Sequence, residues 1–212
     1  MNVDLTKLQT GLPRCPLKVR HTGIWRERAL ELFATKGFVQ VSMRELANHL
    51  GVTPGALYHH YPSKQHLLFD FIVEFYEEML SALRCQGRLS PDPLAFLVKV
   101  HLDLYHAMPW HFSIVFQDSN SLTADQQIEV QRLRLGYLRS ISQVLDLTHT
   151  GPSLEVVAVA DAIAQVLNVA PTWFRAAPLT DHARMELTSS LITGAIERML
   201  GVWRGCRAPK KR

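Results

Sequence analysis

Cysteine is scarce and scattered in this chain of 212 residues: only Cys15, Cys85 and Cys206 are present. An odd trio so far apart excludes a disulfide framework and fits reduced thiols in a cytoplasmic protein. Long hydrophobic runs are missing too. A stretch such as Val156–Ala164 is short and interrupted by Asp161, well below the roughly 20 residues of a membrane span, so no membrane partner is expected. No charged segment followed by an apolar core opens the sequence, and no secretory signal is expected. Strand-like alternation, internal repeats and low-complexity stretches beyond the basic tail are absent. So are the G-x-S-x-G, H-E-x-x-H and P-loop patterns, which argues against an enzyme and against a cofactor. Ten histidines invite a metal site. Yet His101, His106 and His111 follow one another at intervals of five, and two ligands share a helical face at an interval of four. No metal site is expected; ordinary, partly exposed histidines are.

What is present is a core and an uneven charge. Hydrophobic residues make up 47%, enough for a sizeable interior. Residues 1–64 hold nine Lys/Arg against four Asp/Glu, a net +5, whereas residues 65–203 hold nine against fifteen, a net −6. The last nine residues add five cations and no acid. A basic head on an acidic body suits a nucleic-acid binder whose second part does not touch the nucleic acid. A short basic terminus by itself reads as solvated.

Periodicity and breakers divide the chain into helices. Residues 1–20, with Gly11, Pro13 and Pro16, read as an arm. A helix from Gly23 ends at Gly37. Ser42, with Glu45 three residues on, opens a second as a capping box, and Gly51 ends it. Thr53 and Pro54 start a short third helix as N-cap and first residue, and Pro62 stops it. Ser63 caps a long helix from Lys64 to about Cys85, with Leu67, Leu68, Phe71, Ile72, Phe75, Met79 and Leu83 on one face. Further helices are predicted over Asp92–Ala107, near His111–Phe116, and over Thr123–Leu147, Ser153–Arg175 and Asp181–Val202. Pro109 and Pro171 count as breaks. The fold class is all-α: a three-helix N-terminal unit (21–66), a larger helical body (67–203) and a basic tail (204–212).

Helix, glycine turn and short helix make the helix-turn-helix pattern. Gly55 and Ala56 let the third helix approach DNA closely. Ala56, His59 and His60 share a face, and Leu57 points to the core. Tyr58 can donate to a phosphate, and Lys64 joins a cation to free helix N-terminal amides.

The segment TGIWRERALELFATKGFVQVSMRELANHLGVTPGALYHHYPSKQHLL resembles, without a gap, the DNA-binding domain of the TetR family of bacterial transcriptional regulators. The motifs that carry the likeness are F-x-x-K-G-F, S-M-R-E-L-A, G-V-x-x-G-A-L-Y-x-H-Y and S-K-x-x-L-L. The resemblance implies that Ser42, Thr53, Tyr58, His60 and Lys64 contact phosphates. It implies that Arg44, Gly55, Ala56 and His59 lie at or near base edges. Pro62 stands where a basic or polar residue is usual. The resemblance further implies that residues 21–66 are a helix-turn-helix DNA-binding domain and residues 67–203 an effector-binding and dimerisation domain, in a homodimer on a palindromic DNA operator, acting as a repressor released by a small-molecule effector. IEVQRLRLGYLRSI and AIAQVLNVAPTWFRAAPLTDHARMELTSSLITGAI are similar to regulators that answer to acyl-CoA thioesters or to fatty-acid and sterol breakdown. The shared W-[YF]-[RK] is Trp173-Phe174-Arg175, though Ala176 and Ala177 delay the proline that often follows.

Aromatic residues beside breakers fit an apolar pocket with a few polar handles. Effector contacts are expected from Tyr105, Trp110, Phe116, Tyr137, Trp173 and Arg175, between the helices that start near Asp92, Thr123 and Ser153. Arg132, Arg134 and Arg139 are either a solvated face or a seat for an anionic head. Leu154, Val157, Ile163, Leu187, Leu191, Ala195 and Met199 offer a dimer interface. Two other readings stay open at this point: an architectural DNA binder without an effector, and an efflux-system repressor answering to hydrophobic drugs. An enzyme built on the helical body is more distant.

Overall fold

Helix boundaries in this protein follow local chemistry. The structure, a computed structural model, describes residues 23–86, 90–147, 153–174 and 176–207, and leaves the side chains of residues 85, 86, 116, 206 and 207 undescribed. The predicted arm, Arg175, the Phe116 side chain and residues 208–212 of the tail lie outside the described set.

Nine α-helices and no strand occur among the described residues. They are α1 (Gly23–Lys36), α2 (Met43–Leu50), α3 (Pro54–His60), α4 (Lys64–Gln86), α5 (Pro93–Ala107), α6 (Pro109–Gln117), α7 (Ala124–Val144), α8 (Leu154–Trp173) and α9 (Asp181–Arg207). The all-α expectation stands. Ser42, Thr53, Asp92, Thr123 and Ser153 cap α2, α3, α5, α7 and α8 through their side-chain oxygens. Gly51 takes the left-handed conformation, φ 72°. The Val52 N–H then reaches the Ala47 carbonyl (3.0 Å), which is the glycine-dependent end of a Schellman motif.

Three local expectations are corrected. Glu45 does not close a capping box: the Ser42 hydroxyl accepts from the Glu45 N–H (3.2 Å), but the Glu45 carboxylate pairs with Lys36 at the end of α1. Pro171 does not break α8, which runs on to Trp173, because a proline in the last turn removes one hydrogen bond and its fixed φ is already helical. Finally, α9 continues to Arg207, past the predicted end at Val202.

α4 is the spine. Leu67, Leu68, Phe71, Ile72, Phe75 and Met79 are completely buried, and each contributes about 1.5–3 kcal/mol by leaving water. α4 packs on α5, α6 and α7; α5 also meets α8 and α9; and α1 packs on α2 and on α6. The reading domain is thus joined to the body twice, through the continuous α4 and through the α1–α6 contact. α8 is the one helix among the described residues long and apolar enough to cross a membrane. It holds Asp161, paired with Arg134 of α7 (2.5 Å), and packs on α5, α7 and α9.

Candidate DNA-reading surface and body cavity

α3 buries one side chain and exposes most of the rest. Leu57 anchors it in the core, while Gly55, Ala56, Tyr58, His59 and His60 face solvent. The rings of His59 and His60 meet edge to face, 5.5 Å apart. Thr53 accepts from the Ala56 N–H (3.2 Å), so the first turn of α3 is fixed where it would meet DNA. Ser42 and Arg44 at the start of α2 are exposed as well. These eight exposed residues offer hydroxyls, imidazoles, a guanidinium and close-approach backbone, groups that suit phosphates and base edges.

Lys64 is different. Its ammonium turns inward and donates to the carbonyls of Phe38 (2.8 Å), Val39 (3.3 Å) and Val41 (2.8 Å). An ammonium has three N–H donors, and all three have acceptors here. The nitrogen also lies 4.4 Å from the centre of the Phe38 ring, and burial lowers its pKa from the ordinary lysine value. The side chain therefore closes the α1–α2 turn; what remains for a phosphate is the amide end of α4.

The same turn is held from the body. Asp118, which ends α6, lies near the Phe38 backbone and in the field of Lys64, while its burial pushes its carboxyl above the usual range. A second link lies further back. Arg26 of α1 donates to the Tyr61 hydroxyl (2.5 Å) and to Glu74 of α4 (2.9 Å), and stacks over Phe71. His111 of α6 sits 3.5 Å from the same Glu74 oxygen. Burial raises the Glu74 carboxyl, but His111 and Arg26 outweigh it and hold it below the ordinary glutamate value. Neither Arg26 nor Asp118 stands out in the sequence, since each becomes visible only when α1, α4 and α6 are packed.

In the body, a cavity of about 250 Å³ opens where the ends of four helices meet. Leu102, Tyr105 and His106 of α5, Pro109 of α6, Pro171 of α8, and Asp181, Arg184, Met185 and Thr188 of α9 line it. Of the expected effector residues, Tyr105 lines this cavity and Trp110 follows Pro109 in the chain. Trp173 is 58% exposed outside it. In the expected seat between α5, α7 and α8, Tyr137 of α7 is buried with His101 and Asn168. Nδ1–H of His101 donates to the Leu97 carbonyl (2.7 Å), Nε2 accepts from the Tyr137 hydroxyl (2.7 Å), and Asn168 donates to that hydroxyl (3.0 Å). Burial drives the His101 pKa down to about 4 and pushes the Tyr137 hydroxyl up. The expectation of partly exposed histidines thus fails for His101 and His111, both buried, and holds for His106. Arg134 and Arg132 are engaged with Asp161 and Glu129, so neither is a ready seat for an anionic head.

On the expected interface, Leu154 is 90% exposed, and Val157, Leu187 and Leu191 are exposed beside partly buried Ala195 and Met199. Ile163 is the exception. It is completely buried, because it falls on the stripe of α8 that faces its own protomer, with Ala160, Ala164 and Leu167. An open, almost wholly apolar groove between α8 and α9, lined by Ala158, Ala162, Met199, Val202 and Trp203 among others, extends the exposed set.

The family described as "Bacterial regulatory proteins, tetR family" matches residues 26–71, which spans α1 to the first turns of α4. The HTH-type transcriptional repressor KstR2 of Mycobacterium tuberculosis is 23% identical over 181 residues, covering 81% of this chain and 90% of its own. The transcriptional repressor KstR of Rhodococcus jostii is 28% identical over 174 residues, 79% and 80% of the two chains. The structure of AibR in complex with isovaleryl coenzyme A and operator DNA superposes with a TM-score of 0.63 at 17% identity, covering 79% of this chain and 95% of that one. The match falls on the helix-turn-helix, and the repressors align over reader and body together: residues 26–71 carry a TetR-family DNA-binding domain, and the chain as a whole is similar to TetR-family transcriptional repressors.

Proposed function

We infer that this regulator is a homodimeric repressor, released from a palindromic operator by a small effector held in the body. One observation carries the reading. α6 begins at the cavity with Pro109 and ends on the reading domain with Asp118, touching Glu74 and α1 on the way. A ligand that favours one seating of α6 thereby favours one placement of α3. It shifts the balance only by its differential affinity for the two states. α4 is the second route between the same regions, so the transmitter is the α4–α6 pair rather than α4 alone.

Dimerisation is assigned to α8 and α9, whose exposed Leu154, Val157, Leu187, Leu191 and Val202 leave apolar surface uncovered. Two such pairs make a four-helix interface, and its two-fold axis sets the reading helices in successive major grooves, roughly 34–36 Å apart or somewhat more. DNA contacts are assigned to Ser42, Arg44, Thr53, Gly55, Ala56, Tyr58, His59 and His60 side by side with the α4 amides.

AibR was solved with isovaleryl coenzyme A and operator DNA. For this chain an acyl-CoA reading needs one adjustment. A cavity of 150 Å³ encloses a single benzene-sized ring, so 250 Å³ takes a short acyl group or a compact ring and leaves a nucleotide outside.

The test selects operator DNA from random sequence and titrates the bound protein with acyl-CoAs of increasing chain length. Release of the wild type, with retention by a Leu102→Trp protein that fills the cavity, supports the reading. Release of both proteins alike moves the effector to another place. A palindrome bound with no response to acyl-CoAs, fatty acids or hydrophobic cations favours the architectural alternative. Val157→Glu with Leu191→Glu should give a monomer by sedimentation and lose binding to the full palindrome.

A further inference from the structure

At the junction of reader and body, one carboxylate has two claimants. Glu74 of α4 presents the same oxygen to Arg26 of α1, whose Nη2 donates at 2.9 Å, and to His111 of α6, whose Nε2 stands 3.5 Å away. The first distance is a full hydrogen bond and the second is too long for one. Nε2 of His111 and Nε of Arg26 are both buried without a hydrogen-bond partner, a costly state that a small shift of either side chain can relieve. Arg26 also has a second carboxylate within reach. Asp70 lies one turn before Glu74 on the same helix, 3.8 Å from Nη1 of Arg26, and its side chain is 47% exposed. Nη1 meanwhile donates to the hydroxyl of Tyr61 (2.5 Å), the residue that caps the C-terminal end of α3. The guanidinium thus ties the end of the reading helix to whichever carboxylate it faces. His111 stands two residues from Pro109, which lines the body cavity.

We propose that Arg26 is a two-position switch, set by His111, between the body and the reading helix. While His111 is neutral, Arg26 holds Glu74. Once protonated, His111 takes the Glu74 oxygen as a charged donor and repels the guanidinium. Arg26 then moves to Asp70 and re-seats Tyr61 with the end of α3. Two discrete arrangements of one side chain are what coupling between distant regions requires. The helices packed on α6 carry these charged groups near the exchange: Arg26 on α1, and Asp70, Glu74 and buried Glu78 on successive turns of α4. On α5, Lys99 pairs with Asp103, His101 is bonded to Tyr137, and His106 is exposed. Asp118, at the far end of α6, lies in the field of Lys64. The proposal rests on α3 as the DNA-reading element and does not depend on an effector.

The experiment uses the full chain, with protons as the probe. Affinity for operator selected from random sequence is measured at constant salt from about pH 8 to about pH 5.5, the range in which histidines gain their proton, for the wild type, His111→Gln and Asp70→Asn. His59 and His60 gain charge over the same range and should tighten DNA binding in all three proteins. The wild type should gain less than either variant, by about fivefold or more, the lower end of ordinary coupling between sites. His111→Gln removes the proton, and Asp70→Asn removes the second seat of Arg26. Because Asp70 is half-exposed, its variant guards against loss of structure at buried His111. In the DNA-free protein the indole N–H resonance of Trp25, whose ring lies 5.9 Å from that of Tyr61, reports the switch directly. It should move with pH in the wild type and stay in place in both variants. Equal operator curves for the three proteins overturn the proposal, and so does a Trp25 resonance that moves alike in all three or in none. If no operator can be selected, the DNA-reading surface falls, and the Trp25 resonance alone decides the switch.

Discussion

The reading domain and the body solve opposite problems with the same helices. In the reader, one side chain of α3 is buried and its neighbours are left in water, so the surface that meets DNA is set by short-range devices: Thr53 on Ala56, Ser42 on Glu45, the left-handed Gly51. In the body the groups that matter come from four helices spread over some eighty residues, and the cavity exists only where their ends fail to close. A surface built locally can be altered one residue at a time. A cavity built at a distance, together with the polar core behind it, should respond to changes as a unit.

The sharpest break in that comparison is Leu57→Ala. Leu57 is the sole buried residue of α3, and its truncation should cost about 2–5 kcal/mol, all of it felt in the reader. Operator binding should vanish in gel-shift assays while sedimentation still reports the dimer. If the body loses its dimer as well, the two regions fold as one unit and the contrast is too strongly drawn.

Acid should act on the body first. His101 is neutral and fully buried, with a pKa near 4 against about 6.5 for an unfolded histidine. Because the folded state resists protonation, the stability it contributes is present above pH 6.5 and is lost as pH falls from 6.5 toward 4, by about 3 kcal/mol in all. Urea midpoints measured across that window should fall for the wild type and fall less for His101→Gln. Parallel pH curves for the two proteins would show that His101 is not the group responsible.

The same contrast decides what the sequence made legible. The helices of the reader were legible almost to the residue, because caps, glycine turns and prolines act within four residues of one another. The stripe of α4 and the exposure of Leu154 and Leu191 followed from periodicity. The seat of the cavity did not: periodicity gives Tyr137 and Ile163 an inward direction but cannot say whether that direction ends in a pocket, an interface or packed core. Arg184 and Asp181 read as the first turn of a surface helix, and only the approach of α5 and Pro171 makes them a wall. Inside the reader, the inward turn of Lys64 was not legible, for a related reason. Its motif marks it as important, but the carbonyls it binds lie more than twenty residues upstream.

Lys64 and His59 can therefore be separated by measurement. His59→Ala should relax selectivity at one base pair by about 1–3 kcal/mol and leave folding intact. Lys64→Ala removes three hydrogen bonds from the α1–α2 turn and should lower stability by about 1–3 kcal/mol. Its effect on the salt dependence of binding should fall short of the roughly one unit that a phosphate-bound cation contributes. A full unit of lost slope with unchanged stability would return Lys64 to the phosphate backbone.

The smallest effect tests whether the start of α2 is a local or a tertiary device. In a capping box the residue at Glu45 reaches back to the amide of Ser42, and glutamine serves as well as glutamate. In the structure Glu45 instead pairs with Lys36, joining the end of α1 to the start of α2, and this pairing lowers its pKa. The two arrangements answer differently to Glu45→Gln. The box is indifferent to that change and to salt. The ion pair is lost as completely by glutamine as by alanine, and because both partners are exposed the loss should be small at low ionic strength and vanish at high ionic strength. Ser42→Ala, by contrast, should cost about 1 kcal/mol at any salt concentration. Thermal denaturation of the wild type, Glu45→Gln, Glu45→Ala and Ser42→Ala at two salt concentrations separates these outcomes. A silent Glu45→Gln beside a destabilising Glu45→Ala, both insensitive to salt, would restore the box and make the start of α2 as local as the start of α3.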